Sequence, residues 1–107
     1  MRDHAAEAVE LSAPFSRRDL KQNRMLVLAL TRLVEIVGEA ASRVSEPTRV
    51  SIPEVPWAQL RGMRNRLVHA YDRVDEDILW STIVDNFPPL IAQLAAAIES
   101  EERRPRG

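Results

Sequence analysis

Leu20-Lys-Gln-Asn-Arg-Met-Leu-Val-Leu-Ala-Leu30-Thr-Arg-Leu-Val-Glu-Ile-Val-Gly-Glu-Ala40-Ala-Ser-Arg-Val44 is the segment that decides the fold. Its apolar positions Met25, Leu26, Leu28, Ala29, Leu33, Ile36, Val37, Ala40 and Val44 recur at helical spacing, and Val27, Leu30 and Val34 widen the stripe beyond one face. The pattern predicts one long helix. Its start is expected near Arg17, because Ser16 and Asp19 fit the helix-start arrangement in which a hydroxyl and a carboxylate satisfy free backbone N–H groups. A helix that is apolar on more than one side needs two partners, so part of it is expected to face a second subunit. Gly38, with Ala40, Ala41 and Ser42, would let another helix approach closely, although a glycine inside a helix costs about 1 kcal/mol relative to alanine.

Working outward, residues 3 to 12 carry strong helix formers and small residues, and Pro14 stops them, which predicts a short first helix. On the other side, Ser45 to Pro56 holds three prolines in twelve residues and reads as an irregular connection with one helical turn after Ser45. A third helix is expected from Pro56 or Trp57 to about Tyr71. Asp75 can cap a fourth, with Leu79, Ile83, Phe87, Leu90, Leu94 and Ile98 as its apolar stripe, which Pro88 and Pro89 must kink or divide. The expected fold is therefore all-α, an up-and-down bundle of four to five helices. One domain over residues 1–98 and a charged, disordered tail over residues 99–107 complete the division, since the tail has no apolar anchor.

Composition agrees. Of the 107 residues, 45% are hydrophobic but only 5% aromatic, so aliphatic side chains must fill the core, as packed helices require. A chain this small gains from burying further surface by self-association. The net charge of −1 and a pI near 6.1 exclude a broadly basic surface and leave any attraction for nucleic acid to a local patch. Without cysteine there is neither a disulfide nor a thiolate metal site. Nothing resembles a secretory signal, and the apolar run Met25 to Leu30 is far short of the roughly 20 residues of a membrane span. A soluble, cytoplasmic protein is expected.

The chemically capable side chains crowd into Arg61-Gly-Met-Arg-Asn-Arg-Leu-Val-His-Ala-Tyr71, with Arg73 just beyond. Arginine grips phosphate through paired donors and histidine can move protons near neutral pH, so the cluster suits a phosphate-bearing ligand. On a regular helix Arg61, Asn65 and His69 form one row, while Leu60, Met63, Leu67 and Ala70 turn inward. The ordinary structural explanation is a surface or capping histidine, arginines paired with Asp72, Asp75, Glu76 or Asp77, and a tyrosine with a buried ring. Arg64 and His69 are five residues apart, about 140° on an ideal helix, so they converge on one ligand only if the helix distorts near His69 or two subunits share the site. There is no glycine-rich phosphate loop, no His-Glu-x-x-His zinc signature and no serine in an elbow motif, so neither a metal nor another cofactor is expected.

Arg64-Asn-Arg-Leu-Val-His69-Ala-Tyr71 resembles the Arg-x4-His-x-Tyr motif of HEPN-domain toxins, in particular the HepT-like ribonucleases of prokaryotic toxin–antitoxin pairs. Glu35-Ile-Val-Gly-Glu-Ala-Ala41, Val55-Pro-Trp57 and Asp85-Asn-Phe-Pro-Pro-Leu90 resemble that family as well, so the likeness covers roughly residues 3–98. It implies a HEPN-like bundle that forms a homodimer, with the two motif helices meeting in a cleft. It also implies metal-independent cleavage of RNA by the ribose 2′-hydroxyl, leaving a cyclic phosphate end. Arg64 and His69 would be catalytic, and Asn65, Arg61 and Arg66 would orient or bind phosphate. The implied partner is a minimal nucleotidyltransferase antitoxin that transfers AMP to the motif tyrosine, here Tyr71, in a type VII-like pair. Asp72 departs from the family, where an aromatic or small residue is common after the tyrosine. The competing reading is a non-catalytic helical interaction subunit that binds a nucleotidyltransferase or nucleotide; a third is a purely structural helical module.

Overall fold

The computed structural model of the chain describes residues 1–69 and 73–102. Six α-helices are found among them: α1 (Arg2–Ser12), α2 (Arg24–Ser42), α3 (Glu46–Ser51), α4 (Trp57–Leu67), α5 (Glu76–Ser81) and α6 (Phe87–Glu102). The architecture is the expected all-α, HEPN-like bundle. Among the described residues it also holds a pair of two-residue antiparallel strands, β1 (Val68–His69) and β2 (Arg73–Val74), in which Val68 faces Val74 and His69 faces Arg73.

The long second helix divides where the sequence suggested continuity. Ser16 and Asp19 do form the reciprocal cap, but it opens a 3-10 turn, Arg17–Lys21, and α2 begins only at Arg24. Asn23 accounts for the break. Its side chain accepts the Leu26 N–H at 3.0 Å, a cap that competes with helix continuation. Downstream, Ser45 caps α3 through the Thr48 N–H and Asp75 caps α5 through the Ile78 N–H, both at the expected positions. Between Thr82 and Asn86 the chain takes a π-helical turn, closed by the Phe87 N–H on the Thr82 carbonyl. Pro88 lacks an N–H and its ring crowds the carbonyl four residues earlier, so the wider turn accommodates the proline pair without breaking the rod. Helix α6 itself continues to Glu102, into the expected tail, whose remaining residues 103–107 lie outside the described ones.

The core draws on every long helix. Ala5 and Ala8 of α1, Leu30, Val34 and Val37 of α2, Leu67 of α4, Leu79, Ile83 and Phe87 are each at most 1% exposed. Helix α1 packs on both α2 and α6, and α4 packs along α2. No helix of the described residues is long and apolar enough to cross a membrane.

Two glycines sit in helices under opposite constraints. A Cβ on Gly38 would lie 3.1 Å from the Leu60 carbonyl oxygen of α4, whereas one on Gly62 would meet nothing within 4 Å. Gly38→Val is therefore expected to lower stability by about 1–3 kcal/mol through overpacking. Gly62→Ala is expected to raise it by about 0.5–1 kcal/mol through helix propensity. Urea denaturation midpoints check both; shifts of the same sign would contradict the close α2–α4 approach.

Candidate functional site

Helix α4 enters from the proline-rich connection, where the Trp57 indole N–H donates to the Ile52 carbonyl at 3.0 Å and fixes the start. Because Gly38 lies near the C-terminal end of α2 and Leu60 near the N-terminal end of α4, the two helices run antiparallel. The C-terminal end of α4 is thereby carried back toward the N-terminal end of α2. Leu60, Met63 and Leu67 are buried, as their spacing predicted, and Arg61 and Asn65 are exposed on the opposite side.

The row Arg61, Asn65, His69 does not persist. Helix α4 ends at Leu67 rather than near Tyr71, because the Leu67 carbonyl accepts the Asp75 N–H at 2.8 Å and residues 68–69 pair with residues 73–74. Arg64 thus lies in the last turns of a helix and His69 in a strand after it. The 140° separation of an ideal helix no longer applies between these two positions. Tyr71 and Asp72 lie outside the described residues.

The remaining candidates adopt two arrangements. Arg66 is exposed, yet its Nη2 donates to the Gln59 carbonyl at 2.6 Å, so it folds back along its own helix. Arg61 and Asn65 share one face four residues apart, and among the described residues neither side chain has a hydrogen-bond or ion-pair partner. Gly62 lies four residues before Arg66 on the same row, and a Cβ there would meet nothing within 4 Å. A free guanidinium beside a free amide can bind a phosphate and a neighbouring hydroxyl.

The sequence reading missed a neighbouring feature. Arg17 Nη2 lies 2.7 Å from the Asp77 carboxylate, tying the 3-10 turn to the first turn of α5, directly after the strand that pairs with His69. Four cations within eight residues, Arg17, Arg18, Lys21 and Arg24, were the available signal.

An all-helical bundle whose third long helix ends in an arginine- and asparagine-bearing turn before a histidine defines the class, and comparison with known proteins makes it specific. The profile described as "Ribonuclease HepT-like" matches residues 1–97. The protein named "Probable ribonuclease HepT" of Thermococcus cleftensis is 36% identical over 89 residues, covering 79% of this chain and 81% of that one. Two more relatives carry provisional RNase names. One, from Methanocaldococcus jannaschii, is 30% identical over 82% of this chain and 81% of its own length. The other, from Caldanaerobacter subterraneus, is 32% identical over 88% of this chain and 84% of its own. No solved structure matches the chain. The chain belongs to the HepT-like ribonuclease family.

Proposed function

We propose that this chain is a metal-independent endoribonuclease and the toxin of a type VII-like toxin–antitoxin pair. The observation that carries the reading is the family match over residues 1–97, which includes the string Arg64-x4-His69-x-Tyr71. In the proposed reaction His69 takes the proton from the ribose 2′-hydroxyl as that oxygen attacks the adjacent phosphorus. Arg64 stabilises the charge of the pentavalent phosphate. The 5′-oxygen leaves and takes a proton from water, giving a 2′,3′-cyclic phosphate and a free 5′-hydroxyl, and the proton held by His69 returns to solvent. Asn65 orients the phosphate, Arg61 holds a neighbouring one, and Arg66 joins them once it releases the Gln59 carbonyl.

The proposed working unit is a homodimer. Met25 and Leu28 are 82% and 53% exposed on α2, an apolar surface unpaid for within one chain. Arg32, paired with Glu35 and Glu39 on the same helix, supplies the polar rim that such an apolar contact needs. A minimal nucleotidyltransferase antitoxin is the proposed regulator, and AMP on Tyr71 would exclude RNA by bulk and by negative charge.

Peptide mass spectrometry of the chain expressed alone and with a cognate nucleotidyltransferase tests this, followed by RNA cleavage in excess EDTA. The expected result is cleavage with cyclic phosphate ends by the unmodified chain, and AMP on Tyr71 with loss of cleavage in the co-expressed one. Stable complex formation with no cleavage by either sample would replace it with the interaction-subunit reading.

A further inference from the structure

We infer that Arg18, Lys21 and Arg24 form a second nucleic-acid contact, a basic flank that takes backbone phosphates of single-stranded RNA running on from the candidate site. The inference rests on the proposal that the substrate is RNA. It names where the rest of the strand lies.

A chain of net charge −1 attracts a polyanion only where its cations are locally unopposed. The 3-10 turn and the start of α2 meet that condition. Arg18, Lys21 and Arg24 are exposed, and among the described residues none of them pairs with a carboxylate. The nearby acids are occupied. Asp19 accepts the Ser16 N–H at 2.7 Å, Asp77 accepts Arg17 at 2.7 Å, and Asp75 accepts the Ile78 N–H at 3.0 Å. Glu76, half-buried, is the remaining carboxylate of that turn. Those carboxylates keep their charge, but none is in direct contact with Arg18, Lys21 or Arg24, which remain exposed.

Position gives the patch its meaning. The packing of α4 along α2 points the C-terminal end of α4 toward the end of the bundle where α2 begins. Independently, the Arg17–Asp77 pair and the 2% exposed Leu20 pin the turn against α5, whose capping residue Asp75 also bonds Leu67. The basic turn and the strand bearing His69 therefore share one end of the molecule. The Ser16–Asp19 cap holds the turn in shape before any ligand arrives, which reduces the ordering cost of binding.

The chemistry selects a nucleic-acid backbone over other anions. From Ser16 to Arg24 there is no aromatic residue to stack a base, and separate point charges on a convex turn track successive phosphates without reading sequence. A protein interface would have an apolar centre, but Leu20, the one apolar residue in that segment, is buried.

The test is fluorescence anisotropy with 2′-O-methyl RNA strands, which cannot be cleaved, of about 4 and about 16 nucleotides across a salt series. The whole chain is compared with R18Q/K21Q/R24Q and R18E/K21E/R24E, each checked for a wild-type thermal unfolding profile. The wild type is expected to bind the long strand more tightly than the short one. Both variants should lose that gain, and the slope of log affinity against log salt on the long strand should fall by about 2, from roughly 0.7 per phosphate contact. Unchanged affinity and slope, or equal losses on both strands, overturns the inference. So does normal RNA binding combined with loss of a co-purified nucleotidyltransferase, which would assign the patch to a protein. Wild type that binds through the patch but cuts no RNA keeps the inference and removes the catalytic reading. Wild type that cuts RNA while the variants bind normally removes the inference alone.

Discussion

His69→Ala and Arg64→Ala are each expected to slow RNA cleavage by about 100- to 1,000-fold while leaving the helical content intact. For Arg64 the magnitude is that of removing a preorganised donor aimed at developing charge. For His69 it is that of removing a positioned proton acceptor, which ranges from about 100- to 10,000-fold. Neither change should unfold the chain. The strand pairing of His69 with Arg73 and the Asp75–Leu67 bond that ends α4 are main-chain interactions and do not require those side chains. Arg64→Lys discriminates further, since lysine keeps the charge but loses the planar pair of donors, and should recover only part of the rate. Single-turnover cleavage of a labelled RNA, beside circular dichroism of each variant, makes the measurement. Wild-type rates for both alanine variants would remove the motif from the mechanism.

Phe87→Ala is expected to cost about 3–5 kcal/mol of stability. Phe87 is fully buried where the π-helical turn passes into α6, and it is the largest of the fully buried side chains. The adjoining Pro88 fixes the backbone, so collapse around the cavity is restricted. A small domain has about 5–15 kcal/mol in total, so the variant should be marginal at physiological temperature. Urea denaturation gives the loss directly. A value below about 1 kcal/mol would mean that the α5–α6 joint repacks freely.

Much of this architecture is written in local pattern. The caps at Ser16, Asn23, Ser45 and Asp75 all carry side chains suited to the position, and Leu26, Leu33 and Val37 of the apolar stripe in α2 are buried. Periodicity did not say which side of that helix is outermost, and Met25 and Leu28, counted in the same stripe, face solvent. A helix apolar all round looks alike from any direction until its neighbours are placed. The end of α4 was illegible for a related reason. It is set by a bond from Asp75 back to Leu67, eight residues away, and by strand pairing across residues 70–72. The motif string could be read from sequence, but the change from helix to strand inside it could not. The basic turn is masked in the sequence because Ser16 to Asp19 carries the pattern of a helix start.

The contact between α1 and α6 gives the fold an order of assembly as well as a shape. Helix α1, with Ala5 and Ala8 fully buried, finds its cover partly in a helix far along the chain. A contact between segments so distant in sequence must first meet the entropy of closing everything between them. Docking of α1 on α6 is therefore expected to follow the packing of α2 with α4 and to close the bundle last.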